Sequence, residues 1–290
     1  MALLGCGASA KTPARSTPAA DPAPAARPAA VDRFDAPAAV KLMRLQVGYG
    51  QRPAGSPQLR ALARKLRPLL PGGRFEAIPG QKGLRNIVGT VRGHGRAIVL
   101  GAHYDTLAKP KGFVGANNGA SGTAIVIGVA RAVARFDRAK NAPPIKFVLF
   151  DGEEPAQGLP EEQTDFYHSG LRGSRAYVAR HGKATQAMVL LDYVANKGLR
   201  LPREGTSNIE LWAKLRAAAK RVGQGRFFPS ETGTSIIDDH TPFLRAGLPA
   251  VDLIDWDYDG HSLSDGMDKI SLAATDAVGE TVTELLRALG

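Results

Sequence analysis

At 290 residues, with 43% hydrophobic and 22% charged positions, the chain has the length and composition of an ordinary globular protein with one large, well-buried core. A net charge of +11 raises the question of nucleic acid, but the sequence has no recognition helix, zinc-finger spacing or aromatic-studded basic strand. Its basic residues are scattered along helix-like runs such as "LRALARKLRP" and "LWAKLRAAAKR" as solvated faces, so no nucleic-acid partner is expected. The single cysteine excludes an intrachain disulfide.

The chain opens with "LLGC" at residues 3–6, which is similar to a bacterial lipobox, where the cysteine becomes the lipidated first residue after signal cleavage. Cys6 is therefore the candidate lipidation site, although the usual basic start and long apolar run are missing. The stretch "GASAKTPARSTPAADPAPAARPAAVD" follows, rich in Ala and Pro and almost free of large apolar residues, and reads as a semi-rigid tether. Residues 1–35 are expected to be a signal remnant and tether, and residues 36–290 a catalytic domain. An exported protein, or one anchored to a membrane through lipid on Cys6, is favoured over a cytoplasmic one. No other segment has the unbroken apolar length of a membrane span.

From residue 36 the chain alternates amphipathic and apolar runs. Two helix-like segments, "APAAVKLMRLQVGYG" and "SPQLRALARKLRPLL", precede three strand-like ones, "GRFEAI", "LRNIVGTVR" and "RAIVLGA". Then come the helix-like "SGTAIVIGVARAVARF", the strand-like "IKFVLFD", the helix-like "LRGSRAYVARHG" and the strand-like "AMVLLDYV". The pattern closes with the helix-like "NIELWAKLRAAAKRVG", the strand-like "AVDLIDW" and the helix-like "SLAATDAVGETVTELLRAL". Several helices begin with Ser or Asn, which suit an N-cap. The runs "AIVLGA", "KFVLFD" and "MVLLD" are apolar throughout, as strands covered on both faces should be. The expected fold is α/β: a three-layer αβα sandwich with a mixed, mostly parallel central sheet in a single domain.

Polar residues end those strands. His103 and Asp105 follow "IVLGA", Glu153 and Glu154 follow "FVLFDG", Asp192 ends "MVLL", and His261 comes shortly after "AVDLID". In open α/β sheets the ligand crevice lies beyond the carboxyl ends of the strands, so these groups can converge although they are far apart in sequence. Each alone reads blandly: a His-x-Asp as a surface pair, a Glu-Glu as a solvated loop, and "DDHTPF" as a helix start with Asp239 as cap and Pro242 in the first turn. Likewise "SGTA" reads as an N-cap at Ser121. Together, buried acids and imidazoles at successive strand ends cost stability unless paired or metal-bound, and zinc takes His nitrogen and carboxylate oxygen.

These motifs resemble metallopeptidase family 28, which holds zinc aminopeptidases and the animal-type glutaminyl-peptide cyclotransferases. The similarity runs from about residue 80 to 285. The resemblance implies that His103 binds zinc with Asp105 behind it, that Glu153 is the general acid/base, and that Glu154 and His261 are zinc ligands. Asp192 matches the acid that binds a second metal in two-zinc peptidases and joins a carboxylate network in the cyclases. "IIDDHTPFLRAGLPAVDLID" is very similar to the cyclase branch, which gives Asp238 a place in that catalytic network, with His240 and Asp252 supporting it. Where the cyclases have Trp before the last zinc histidine, this chain has Gly260.

The other departure is Asn118, which stands in "VGANNGASGTA" where the family has a zinc-binding Asp. An amide oxygen is a weaker zinc donor than a carboxylate and a poor bridge between two metals, so one zinc is expected, and two at most. The resemblance implies an enzyme of peptide or protein N-termini, foremost a cyclase turning N-terminal Gln into pyroglutamate with loss of ammonia. A zinc aminopeptidase is the alternative, and a metal-impaired peptide-binding protein the third reading.

Overall fold

The computed structural model describes residues 33–156 and 165–290, so Cys6 and the tether through residue 32 lie outside the described residues. Six strands form one sheet: β1 (Arg74–Ala77), β2 (Arg85–Val91), β3 (Ala97–His103), β4 (Ile145–Phe150), β5 (Thr185–Asp192) and β6 (Ala250–Ile254). Their spatial order is β1-β2-β4-β3-β5-β6. β4, β3, β5 and β6 are parallel neighbours, whereas β2 runs antiparallel to both β4 and β1. The helices are α1 (Ala36–Val47), α2 (Pro57–Leu66), α3 (Ala120–Val133), α4 (Phe166–Ser169), α5 (Arg172–His181), α6 (Ile209–Arg221), α7 (Thr241–Arg245) and α8 (Leu272–Leu289). Among the described residues no helix is long and apolar enough to cross a membrane.

The unbroken apolar strands are explained by the two faces they serve. Along β3 and β5, Ile98, Leu100, Val189 and Leu191 pack on one side with Met43 of α1, Ile125 of α3 and Val278 of α8. Their alternates Val99, Met188 and Leu190 pack on the other side with Tyr177 of α5 and Phe243 of α7. Side chains two apart share a face, so an apolar residue at every position is what a covered strand requires. Each such side chain contributes roughly 1.5–3 kcal/mol relative to exposure. The αβα sandwich and the mixed, mostly parallel sheet are therefore as expected.

Three expected caps are present: Ser56, Asn208 and Ser271 accept from the backbone N–H of Leu59, Leu211 and Ala274. Two are not. α3 starts at Ala120 after Gly119, and the Ser121 hydroxyl donates back to the Asn117 carbonyl at 2.6 Å instead of capping. α7 does carry Pro242 in its first turn, but it starts at Thr241 and Asp239 does not cap it. Both residues are buried: the Ser121 hydroxyl is taken up by Asn117, and the Asp239 carboxylate lies near Asp238, His103 and Asp105 and not at the helix end. The core also reaches back to Phe34, just ahead of the expected domain start, because its backbone N–H donates to Glu280 at 2.6 Å and its ring packs on Gly128 and Gly279.

Candidate active site

The carboxyl ends of β3, β4, β5 and β6 deliver the site. His103 is the last residue of β3 and is buried. Its Nε2 lies 3.3 Å from Asp192 at the end of β5, and its Nδ1 lies 3.5 Å from Glu153 and 3.6 Å from Asp105. Asp105 also accepts from the backbone N–H of Glu153 at 3.2 Å and of Glu154 at 3.3 Å, so one carboxylate fixes both the imidazole and the acidic loop after β4. Arg172, at the start of α5, donates to the Glu154 carbonyl at 2.8 Å and ties that loop down from its other side.

The two asparagines ahead of α3 have separate tasks. Asn117 donates to Asn196 at 3.0 Å and accepts from the Ala195 N–H at 2.9 Å, which pins the loop to the chain beyond β5. Asn118 turns into the site, where its Nδ2 donates to Glu154 at 3.0 Å and to the Tyr193 hydroxyl at 3.2 Å. Asp265 sets their position by accepting from the backbone N–H of Asn117 at 2.8 Å and of Asn118 at 2.9 Å. Because Asp265 lies on the loop that carries His261, one segment supplies the histidine and seats the asparagine. Arg52, fully buried, donates to the carbonyls of Val114 and Gly115 and braces the same loop from behind.

A cavity of about 80 Å³ opens over these groups. Its polar side presents Asn118, Glu153, Asp192, Tyr193, Asp238 and His261. Its apolar side is made by Phe166, Ile236, Ile237, Ile254 and Trp256, of which Ile237 and Trp256 are 46% and 48% exposed. Behind Asp238 the network continues inward. Asp252 lies close enough to Asp238 for their charges to repel, it is 3.5 Å from His240 Nδ1, and His240 Nε2 lies 3.3 Å from Glu204.

The electrostatics of the crevice are those of acids short of cations. Burial pushes Glu153 well above the usual carboxylate range, with Glu154 beside it adding to the rise and His103 opposing it. Burial also lifts Glu154 to about 7, against the pull of His261 and His103. Asp238 is raised to about 6 by burial and by Asp192. His103 is pushed down by burial, but Glu153 and Asp192 outweigh that and hold it well above its ordinary value. Carboxylates in such a setting serve as proton carriers, and they attract a divalent cation or an ammonium group.

The donors suit zinc. His103, Glu153 and Glu154 each offer a ligand atom within 4.8 Å of the others, and all three are buried. The buried Asn118 Oδ1 has no hydrogen-bond partner, nor has His103 Nδ1. The supply of imidazole nitrogen and carboxylate oxygen matches the atoms that zinc takes, and the free amide oxygen adds a weaker donor. Every site residue expected from the sequence within the described part is found in this crevice or directly behind it. The sequence reading passed over Tyr193, Arg52 and Arg172, and it gave no role to Asp265, which matched only as part of the motif that follows His261.

Comparison with known proteins agrees with this geometry. The family model described as "Peptidase family M28" matches residues 86–286. Glutaminyl-peptide cyclotransferase of Bos taurus is 27% identical over 207 residues, covering 60% of this chain and 57% of that protein. The chain thus spans little more than half the length of the curated relatives it matches. Among solved structures, glutaminyl cyclase of Porphyromonas gingivalis superposes with a TM-score of 0.76 at 28% identity, covering 88% of this chain and 99% of that one. A leucine aminopeptidase precursor from Bacteroides thetaiotaomicron superposes equally well, with a TM-score of 0.76 at 27% identity over 88% of this chain and 97% of that one.

Proposed function

We propose that this chain, which belongs to peptidase family M28, is a zinc-dependent enzyme of peptide N-termini that converts N-terminal glutamine into pyroglutamate. The observation that carries the reading is the cavity. At about 80 Å³, with apolar walls and an acidic floor, it has room for one short side chain folded back on its own α-amine. Folding the side chain back is what cyclisation needs, because the nucleophile and the carbonyl under attack belong to the same residue and the wall holds them together. The exposed Trp256 and Ile237 at the mouth are then covered by the substrate.

Of the buried donors Glu154, with His261 and the free Oδ1 of Asn118, would hold the zinc, as the family resemblance implies, and His103 and Glu153 beside it are left for proton transfer; when bound the metal supplies Lewis-acid polarisation of the amide carbonyl. The rest falls to the protein's own groups. The α-amine nitrogen bonds to the side-chain amide carbon, and Glu153 accepts the proton that the nitrogen sheds. Glu153 then delivers that proton to the amide nitrogen as the old C–N bond breaks and ammonia leaves. His103, between Asp192 and Asp105, flanks Glu153 and steadies its charged form. Asp238, backed by Asp252, His240 and Glu204, faces the α-amine.

A second reading has an observation of its own: the likeness to the leucine aminopeptidase precursor is as close as that to the cyclase. The two are separated by incubating the zinc-loaded protein with a Gln-initiated and a Leu-initiated peptide and weighing the products. The cyclase reading predicts loss of one ammonia from the first and no change in the second; release of free leucine would overturn it. Export, with or without lipid on Cys6, remains part of the proposal and is tested by fractionating cells that express the full chain.

A further inference from the structure

Tyr193 directly follows the strand-end Asp192 and has φ of 47°, a left-handed conformation that aromatic residues seldom adopt. The turn brings its side chain to the cavity wall, with the ring edge-on to His261 at 6.0 Å. Gly260 makes the room. A Cβ at position 260 would lie 2.5 Å from Tyr193 Cζ and 2.8 Å from Cε1, so any side chain there would push the ring aside. The hydroxyl accepts from Asn118 Nδ2 at 3.2 Å, and among the described residues this is its one hydrogen bond. A phenol oxygen that accepts from an amide N–H keeps its own proton to give. The site therefore contains a neutral O–H, seated by an asparagine, with no acceptor among the described residues.

We propose that Tyr193 is a catalytic hydrogen-bond donor, whose hydroxyl binds the oxygen of the substrate amide and strengthens that bond as negative charge gathers there. The assignment rests on the reading that this site attacks an amide carbonyl, and it holds for cyclisation and hydrolysis alike. It also gives Asn118 a purpose. A carboxylate at position 118 would accept the phenol proton and remove it from the substrate's reach, whereas the amide donates and leaves that proton free. Asn118, Tyr193 and Gly260 thus work as one unit.

The test uses the full chain loaded with zinc, as wild type, Tyr193→Phe, Asn118→Asp and the double variant. Zinc content and turnover of a Gln-initiated peptide are measured for each. Tyr193→Phe is expected to keep its zinc and lose about 100-fold in kcat, with KM rising less than tenfold. In the Asn118→Asp background the same change is expected to cost less than threefold, since the new carboxylate has already taken the hydroxyl. Binding of an N-acetylated glutaminyl dipeptide, which cannot cyclise, is read by calorimetry and is expected to weaken about fivefold to tenfold in Tyr193→Phe. Unchanged kcat at full zinc, equal binding of that dipeptide, or zinc loss that accounts for the lost turnover would each overturn the assignment. A wild type that neither turns over nor binds the dipeptide would overturn the functional reading and this inference with it.

Discussion

The protein buries carboxylates in two places and treats them in opposite ways. On α8, Glu284 is 2% exposed, yet it is held at about 2, because Arg287, Arg221 and Arg33 all donate to it at 2.7–2.8 Å. In the crevice Glu153, Glu154 and Asp238 are also buried and are pushed up, first by burial itself and then by facing other acids, with imidazoles as the opposing charges. Burial raises the carboxylates in both regions; at Glu284 three arginines outweigh it, and in the crevice, where burial weighs more and only imidazoles oppose it, it prevails. Glu284 is satisfied within the chain and serves the fold. Among the described residues the crevice gathers more acids than its imidazoles can offset, and a protein retains such a region where a metal or a substrate ammonium fills it.

The largest expected effect lies in the crevice. Glu153→Gln should lower turnover about 1,000-fold while zinc content stays at the wild-type level, since the residue is assigned proton transfer and no coordination. Glu154→Gln should lose the metal. Equal zinc loss in both variants, measured by elemental analysis, would show that the two neighbours do not divide the work.

Next in size is the stabilisation that zinc brings to the uncompensated side. At a free concentration one hundred times its dissociation constant, a ligand that binds only the folded state adds about 2.7 kcal/mol. For a domain of this length that is a rise in Tm of roughly 5–10 °C, reversed by a chelator. Calorimetric scans with and without zinc check it. An unchanged Tm would mean that the crevice acids are not gathered for a cation.

The smallest effect belongs to the satisfied side. The pKa of Glu284 is lowered on folding from 4.5 to about 2, so its contribution is present above pH 4.5 and is lost as the pH falls toward 2. The arginine partners are partly solvated, so the contribution is on the order of 1 kcal/mol. Glu284→Gln should lower stability near neutrality by about that amount and flatten the acid limb of the denaturation curve. Denaturant melts at pH 7 and pH 3 give the comparison, and an acid limb as steep as the wild type's would remove Glu284 from the account.

The strands and the strand-end ligands were legible because their signals are local: unbroken apolar runs for doubly covered strands, and His-x-Asp or Gly-Glu-Glu directly after them. Asn118 was legible as a departure only because its neighbours still match. Tyr193 was not, since in "LLDYV" it reads as one more strand residue and nothing nearby announces the left-handed turn. Arg52 in "GQRPAG" looks like an ordinary loop cation, and its burial depends on carbonyls more than sixty residues away. Asp265 gave a motif match but no role, because the amides it accepts from belong to a loop 147 residues earlier. Ser121 and Asp239 read as caps by their spacing, but the Asn117 carbonyl takes the Ser121 hydroxyl and Asp239 is buried one residue short of the N-cap at His240, neither of which spacing announces.

The claim at the centre is that the crevice is completed by a single cation, with an amide at position 118 in place of a bridging carboxylate. Zinc titrated into chelator-treated protein, with ammonia release from a Gln-initiated peptide read at each step, tests it directly. The account predicts activity that rises linearly to a plateau at about one equivalent of tightly bound metal. Activity that appears only as a second equivalent binds, or that never depends on metal, would contradict it.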